Sequence, residues 1–419
     1  MQREGIVTAI DVGTTKVCTI IAKVYSSEKA KIVGVGIEPS RGLRKGMVVN
    51  VEEAKKAIRA SVKKAEQQSG FRVRGAYVGV TGSHIQSTEE WLPIISGKDN
   101  TVVTGGRLNA VRHSMTVSKG DDGRQVLHAI ATGYALDGTP GIKNPVGMHA
   151  HQLDMHTQVI TGVSALLSTL TDAVTGAGIE MSGLVLEPLA SGEAVLTDSE
   201  KELGVVMVDI GGGTSDVAIF KGGDMIHTFV IPVGGYQFTN DLATMFDTSY
   251  EEAEQAKLKY GGVNLDAVSA GEEVELPIIG QTRVVKVPRR ELCQAMKERS
   301  VELLQLIKVK LAEAKLQGAP EARIVLTGGS ANIPGLDALA KRILSANVRM
   351  GLPRKPAGMP EVLVNPSYST SVGILLWCMK EYSQVGETGN GHASVFGFYN
   401  RFVNWLLGRI KSVAAFRSA

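Results

Sequence analysis

This chain has no long hydrophobic run. None of its 419 residues lies in a stretch of 18 or more apolar residues, so no segment reads as a membrane-spanning helix. Cysteine is scarce: Cys18, Cys293 and Cys378 share no metal-binding or redox spacing. That usage fits a reducing compartment and excludes a disulfide framework. The opening MQREGIVTAIDVG has no apolar core of the signal-peptide kind, so a cytoplasmic protein is expected. Acidic residues are missing after Glu387, whereas Arg401, Arg409, Lys411 and Arg417 fall there. The chain carries +3 and that last segment +4, which leaves a nearly neutral body. A nucleic-acid binder would instead show a broad basic patch or stripe, so none is expected here.

What is present begins with a device used twice. IVTAIDVGTTKVCTIIAKV (6–24) reads as a strand, a Gly/Thr turn and a strand. LGVVMVDIGGGTSDVAIFKGG (203–223) repeats it, with Asp209 in the place of Asp11. A repeat at this spacing predicts two lobes of related build. Helical periodicity marks 51–70, 249–262 and 289–318, the last long enough for two helices in line. ARIVLTGG (322–329) reads as a strand, and the alternation of strands with helices predicts an α/β class.

The turns point to phosphate. In DVGTTK, Gly13, Thr14 and Thr15 line up backbone N–H donors in an anion-binding nest, and Lys16 adds positive charge. Gly211, Gly212, Gly213 and Thr214 repeat that layout. Three consecutive glycines weaken a strand unless something must come close. Asp11 and Asp209 would hold Mg²⁺ through its waters. IVLTGGSANIPGL (324–336) ends a strand in Gly328 and Gly329, followed by Ser330 and Asn332, where a planar base can lie on bare backbone. Together the three pieces predict a mononucleotide, ATP or ADP with Mg²⁺, clamped between two lobes.

The order of these pieces resembles the actin, sugar-kinase and heat-shock-70 superfamily. LEPLASGEAVL (186–196) with Ala190, Gly192 and Ala194, and STSVGILLW (369–377) with Gly373, match its connecting helices. Over essentially the whole chain, RGLRKGMVVN (41–50), IKNPVGM (142–148), EPLAS (187–191), DIGGGTSD and NDLATMFDTSYEEAEQAKLKYG resemble the FtsA family of bacterial cell-division proteins. The resemblance implies an actin-like (ribonuclease H-like) two-lobed α/β fold with an FtsA-type 1C subdomain. It also implies that Glu254 and Lys257, on one helix face, contact the ribose.

The expected division is subdomain 1A from 1–83 with 163–202 and 361–385, and 1C from 84–162. Subdomain 2A takes 203–232 with 300–360, 2B takes 233–299, and a linker spans 386–394. The resemblance further implies filament formation and slow or absent ATP hydrolysis. It implies contact of 1C with later division proteins, and capture by 2B of the C-terminal peptide of the tubulin-like protein FtsZ. Arg283, Lys286, Arg289 and Arg290 are the candidate cations for that acidic peptide.

Residues 395–419 form the remaining piece. At 100° per residue Val395, Phe398, Tyr399, Phe402, Leu406, Ile410 and Val413 share a face, flanked by Trp405. Arg401, Lys411 and two asparagines lie opposite, the pattern of an amphipathic helix lying in a membrane interface. Arg409 falls within the apolar arc and must snorkel. This segment is expected to anchor the protein, and FtsZ with it, to the inner face of the plasma membrane at the division site.

Other readings are weaker. His149, His151 and His156 would fall on opposite strand faces, which opposes a zinc site. A heat-shock-70 chaperone needs a further substrate domain. A small-molecule kinase needs a carboxylate base that the sequence does not single out. A pilus-assembly relative of FtsA has no evident use for the terminal amphipathic segment.

Overall fold

The computed structural model describes residues 5–108, 110–111, 123–281, 284–314 and 323–387. Strand β1 (Gly5–Val12) pairs antiparallel with β2 (Lys16–Val24), which pairs with β3 (Ala30–Pro39). A small hairpin, β4 (Leu43–Arg44) and β5 (Met47–Val48), leads to α1 (Val51–Ser69). Asn50 caps α1 by accepting the Glu53 N–H at 3.1 Å, and the helix stops at left-handed Gly70. Ala54, Ala57, Ile58, Val62 and Ala65 form the stripe of α1 buried on the sheet.

Strand β6 (Gly75–Val80) returns parallel to β1. A second sheet is then inserted: β7 (Gln86–Val102), β8 (Arg124–Leu136), β9 (Thr139–Ile142) and β10 (His149–Val163), in the order β7-β10-β8-β9. Helix α2 (Ser164–Gly176) and β11 (Glu180–Leu186) complete the first five-stranded sheet, ordered β11-β6-β1-β2-β3.

Helices α3 (Glu187–Val195) and α4 (Asp198–Leu203) lead into the second lobe. There β12 (Val205–Ile210), β13 (Ser215–Lys221) and β14 (Asp224–Ile231) form an antiparallel meander. Helices α5 (Gly235–Met245) and α6 (Tyr250–Tyr260) pack with hairpin β15 (Glu273–Pro277) and β16 (Val284–Pro288). Helix α7 (Arg289–Glu313) is continuous, not two helices in line. Strand β17 (Arg323–Thr327), α8 (Leu336–Leu344) and β18 (Asn347–Met350) finish a sheet ordered β14-β13-β12-β17-β18. Helix α9 (Ser369–Glu387) then returns to the first lobe and runs through Glu387, into the start of the stretch read as a linker.

The two large sheets share one plan, a three-stranded meander extended by two parallel strands. The duplicated hairpins are therefore equivalent elements of two related lobes. The lobes have separate cores: Ile10, Val17, Ile58 and Val78 belong to one, and Val206, Val217, Leu303 and Leu326 to the other. Helices α3 and α9 cross between them.

Candidate functional site

The two Gly-bearing turns close identically. The Gly13 N–H donates to the Lys16 carbonyl at 3.1 Å, and the Gly211 N–H to the Thr214 carbonyl at 2.9 Å. The turns face each other across the lobes. A Cβ on Gly212 would lie 2.3 Å from Thr15 Cγ2, and one on Gly213 2.5 Å from Thr14 Oγ1. Glycine here lets the threonine side chains of the first turn lie directly against the backbone of the second.

Between and beside the turns lies a cavity of about 360 Å³, within the usual range for small-molecule sites. Asp11, Gly13, Thr14, Thr15, Lys16, Asp209, Gly211, Gly212, Gly213, Thr214, Glu254, Lys257, Gly328, Gly329, Ser330 and Asn332 all line it. The structure thus brings every residue of the nucleotide reading to one cavity.

The acids at the turn roots are held from the connecting helices. Ser371 Oγ of α9 donates to Asp11 Oδ2 at 2.6 Å. Ser191 Oγ of α3 and Thr370 Oγ1 of α9 donate to Asp209 Oδ2 at 2.6 and 3.1 Å. The Oδ1 oxygens of Asp11 and Asp209 accept no hydrogen bond among the described residues. Burial raises both carboxyl pKa values; Lys16 and Ser371 oppose this at Asp11, and Ser191 and Thr370 at Asp209.

Two further acids were not singled out from sequence. Asp216 accepts from Thr214 Oγ1 at 3.0 Å and from Thr81 Oγ1, and burial pushes its pKa up to about 7. Glu187, first residue of α3, is raised well above the usual range by burial and then by Asp11, Asp216 and Asp209. Asp216 was visible as the last letter of DIGGGTSD. Glu187 lay in a motif read only for its small residues. Ser191, Thr370 and Ser371 carried no signal, because hydroxyl residues are common in helices and their targets are remote in sequence.

At the far end, Lys257 Nζ donates to Glu254 at 2.6 Å, to Thr239 at 2.8 Å and to the Gly235 carbonyl at 3.3 Å. Leu258, Met296, Ile333 and Pro334 give this end an apolar wall. Ser330 Oγ donates to the Gly211 carbonyl at 2.9 Å, tying the third Gly turn to the second, and Asn332 Nδ2 donates to the Gly329 carbonyl at 3.2 Å within the third. Gly328 has φ +89° with Asp209 Oδ1 2.3 Å from where its Cβ would be, so no side chain fits.

The remaining candidates do not converge on this cavity. Lys286 lies 3.7 Å from Glu273 and 4.0 Å from Glu275; Arg289 pairs with Glu272 at 2.5 Å; and Arg290 donates to the Leu265 carbonyl at 3.0 Å. This surface is of mixed sign, and Arg283 lies outside the described residues. So do Phe398, Arg401, Phe402, Trp405, Leu406, Ile410 and Lys411. His156 bonds Thr132 Oγ1 through Nδ1 at 2.8 Å and lies 4.7 Å from the Trp91 ring centre, tilted by 36°. Among the described residues no three His, Cys, Asp or Glu side chains are placed to ligate a metal directly, and no helix is long and apolar enough to cross a membrane.

Two related lobes closing Gly turns on one cavity define an actin-like two-lobed α/β protein. Solved structures agree on the fold. The PilM–PilN type IV pilus biogenesis complex matches with TM-score 0.63 at 17% identity, covering 89% of this chain and 98% of that one. MreB5 of Spiroplasma citri bound to ADP matches with TM-score 0.52 at 15% identity, covering 92% and 99%.

Family models narrow the class: "Cell division protein FtsA" matches residues 206–373, and "SHS2 domain inserted in FTSA" matches 82–161. The FtsA of Pseudomonas aeruginosa is 35% identical over 94% of this chain and 95% of its own length. That of Escherichia coli is 34% identical over 96% and 97%. The chain belongs to the FtsA family of cell division proteins.

Proposed function

We propose that this protein binds ATP with Mg²⁺ in the interlobe cavity, polymerises, and ties FtsZ to the inner face of the cytoplasmic membrane. One observation carries the reading: two equivalent Gly turns, one from each lobe, meet over a pair of acids whose outer oxygens accept no hydrogen bond among the described residues. Gly13 to Lys16 and Gly211 to Thr214 cradle the phosphates. Glu254 and Lys257 hold the ribose, and Leu258, Met296, Ile333 and Pro334 take the base. MreB5 structures with ADP and with AMPPNP share the fold, which supports a nucleotide here.

The donor set suits Mg²⁺. Asp11 and Asp209 face one cavity, and among the described residues each keeps one oxygen for the waters of the ion. When bound, the ion would offset phosphate charge. Glu187 is the carboxyl group we assign to orient an attacking water. Burial, and then Asp11, Asp216 and Asp209, disfavour its ionised form, which fits weak or absent hydrolysis.

The subdomain division given above is kept as part of this reading. Residues 84–162 meet neighbouring copies and later division proteins, and 233–299 receive the FtsZ peptide. Residues 395–419 supply the membrane contact. A single such helix is a weak anchor, whereas many on one filament act together, with avidity gains of roughly 10² to 10⁴. The test is vesicle pelleting with ATP and an FtsZ C-terminal peptide. The full chain should pellet with anionic vesicles and bring the peptide down, and a chain lacking 395–419 should stay soluble, folded and ATP-binding. Unfolding of the truncated chain would show the segment to be core and sink the anchor. Phosphorylation of a sugar or acid without vesicle binding would favour a kinase.

A further inference from the structure

Gly46 of the β4–β5 hairpin lines the cavity, and the hairpin belongs to neither Gly turn. Its two-residue turn is Lys45-Gly46, with φ +51° and +75°. This is the left-handed pair of a tight hairpin, where the first position normally takes Asn, Asp or Gly. A lysine there is disfavoured, and such strain collects at functional sites.

The turn touches both lobes. The Gly46 N–H donates to Thr14 Oγ1 at 3.2 Å. Lys45 N and Cα would lie 3.0 Å from a Cβ on Gly213. The preceding chain is fixed as well, by the Ser40 N–H to the Thr15 carbonyl at 3.0 Å. Next to the turn, the Arg44 guanidinium lies 5.7 Å from the ring centre of Tyr236 on α5 of the second lobe, within cation–π range. The Tyr236 N–H in turn donates to the Gly212 carbonyl at 2.6 Å. Hairpin, first Gly turn, second Gly turn and α5 are thus one contiguous set of contacts across the cleft.

Charge gives the turn a task. The cavity is lined by Asp11, Glu187, Asp209, Asp216 and Glu254, against Lys16 and Lys257. Lys257 is already paired with Glu254. A triphosphate brings more negative charge than a diphosphate, at the end nearest the two Gly turns. Lys45 is half-buried beside those turns, and its ammonium has no hydrogen bond or ion pair among the described residues.

We propose that the Lys45-Gly46 turn is a third phosphate-binding element that selects nucleoside triphosphate over diphosphate, with Lys45 engaging the terminal phosphate and Arg44 on Tyr236 latching the turn across the closed cleft. The inference rests on nucleotide binding in the cavity and adds the residue that reads the number of phosphates.

The experiment is equilibrium binding of fluorescent ATP and ADP analogues to the full chain with Mg²⁺. Lys45→Gly removes the ammonium and relieves the strained φ, so folding is not endangered. Lys45→Arg keeps the charge. Lys45→Gly should weaken ATP binding roughly ten-fold or more, the size of a charge-assisted hydrogen bond, and leave ADP binding within about two-fold. Lys45→Arg should restore most of the difference. Arg44→Ala should lower the ATP/ADP ratio in the same direction. Equal loss of both nucleotides, or no loss of either, would overturn the proposal while leaving the cavity a nucleotide site. Failure of the unmodified chain to bind either would overturn both.

Discussion

Gly373 of α9 crosses Ala190 of α3 so closely that a Cβ on Gly373 would stand 1.9 Å from the Ala190 carbonyl oxygen. These helices join the lobes, and Ser191, Thr370 and Ser371 beside the crossing hold Asp209 and Asp11. Packing at the crossing therefore sets the cavity floor. Gly373→Ala would force the helices apart and should cost about 3 kcal/mol or more, read as a lower urea midpoint. Nucleotide affinity should fall with it, since both acids move. Wild-type stability in this variant would show that the crossing opens freely.

Gly328→Ala tests the third Gly turn. A methyl group would meet Asp209 Oδ1 and a left-handed backbone together, so strain and a displaced acid act in the same direction. Loss of Mg²⁺-dependent ATP binding of ten-fold or more is expected from removing a charged contact. Asp209→Ala should resemble it. If Asp209→Ala binds ATP and assembles like the unmodified chain, the role given to Asp209 is wrong.

Glu187→Gln removes one of four crowded acids and keeps the shape of the side chain. Burial and the charges of Asp11, Asp216 and Asp209 disfavour its ionised form, so the neutral amide should raise the melting temperature of the nucleotide-free protein. ATP binding should persist and residual hydrolysis disappear. Unchanged phosphate release would remove Glu187 from the water-orienting role.

His128 gives a dependence on pH. Its Nε2 accepts the Leu186 N–H at 3.0 Å, tying the inserted sheet to the first lobe, and Trp377 meets it edge-on. Burial pulls its pKa from 6.5 down to about 4. The neutral ring is thus favoured in the folded state. Its contribution is complete above pH 6.5 and is lost as pH falls towards 4. The amount at stake is on the order of 3 kcal/mol. Asp216, with its raised pKa, acts in the opposite sense over pH 4 to 7, so His128→Gln is the proper comparison. Urea midpoints across this range should fall more steeply for the unmodified chain than for His128→Gln; parallel curves would refute the assignment.

The duplicated hairpins, the α1 and α6 helices and the Gly turns were legible in sequence because each is a local matter. Period-two and period-3.6 patterns and glycines at tight turns are written in consecutive residues. Fourteen of the residues that line the cavity could be named on the same ground, whereas Glu254 and Lys257 came from the family resemblance alone. Glu187, Asp216 and the hydroxyls on Asp11 and Asp209 could not. Ser371 is 360 residues from the Asp11 it holds, and only the return of α9 across α3 brings them together. The mixed charge around Lys286 and Arg289 is also a tertiary fact. Glu273 and Glu275 oppose Lys286 through the β15–β16 register, and Glu272 reaches Arg289 as the chain enters α7. Sequence by itself thus determined the duplicated hairpins, their Gly turns and the main helices, since those rest on contacts a few residues apart, whereas the inserted β7–β10 sheet was not read from it. The tertiary structure decided which acids crowd one cavity and how they are neutralised, because electrostatics and burial depend on distance in space.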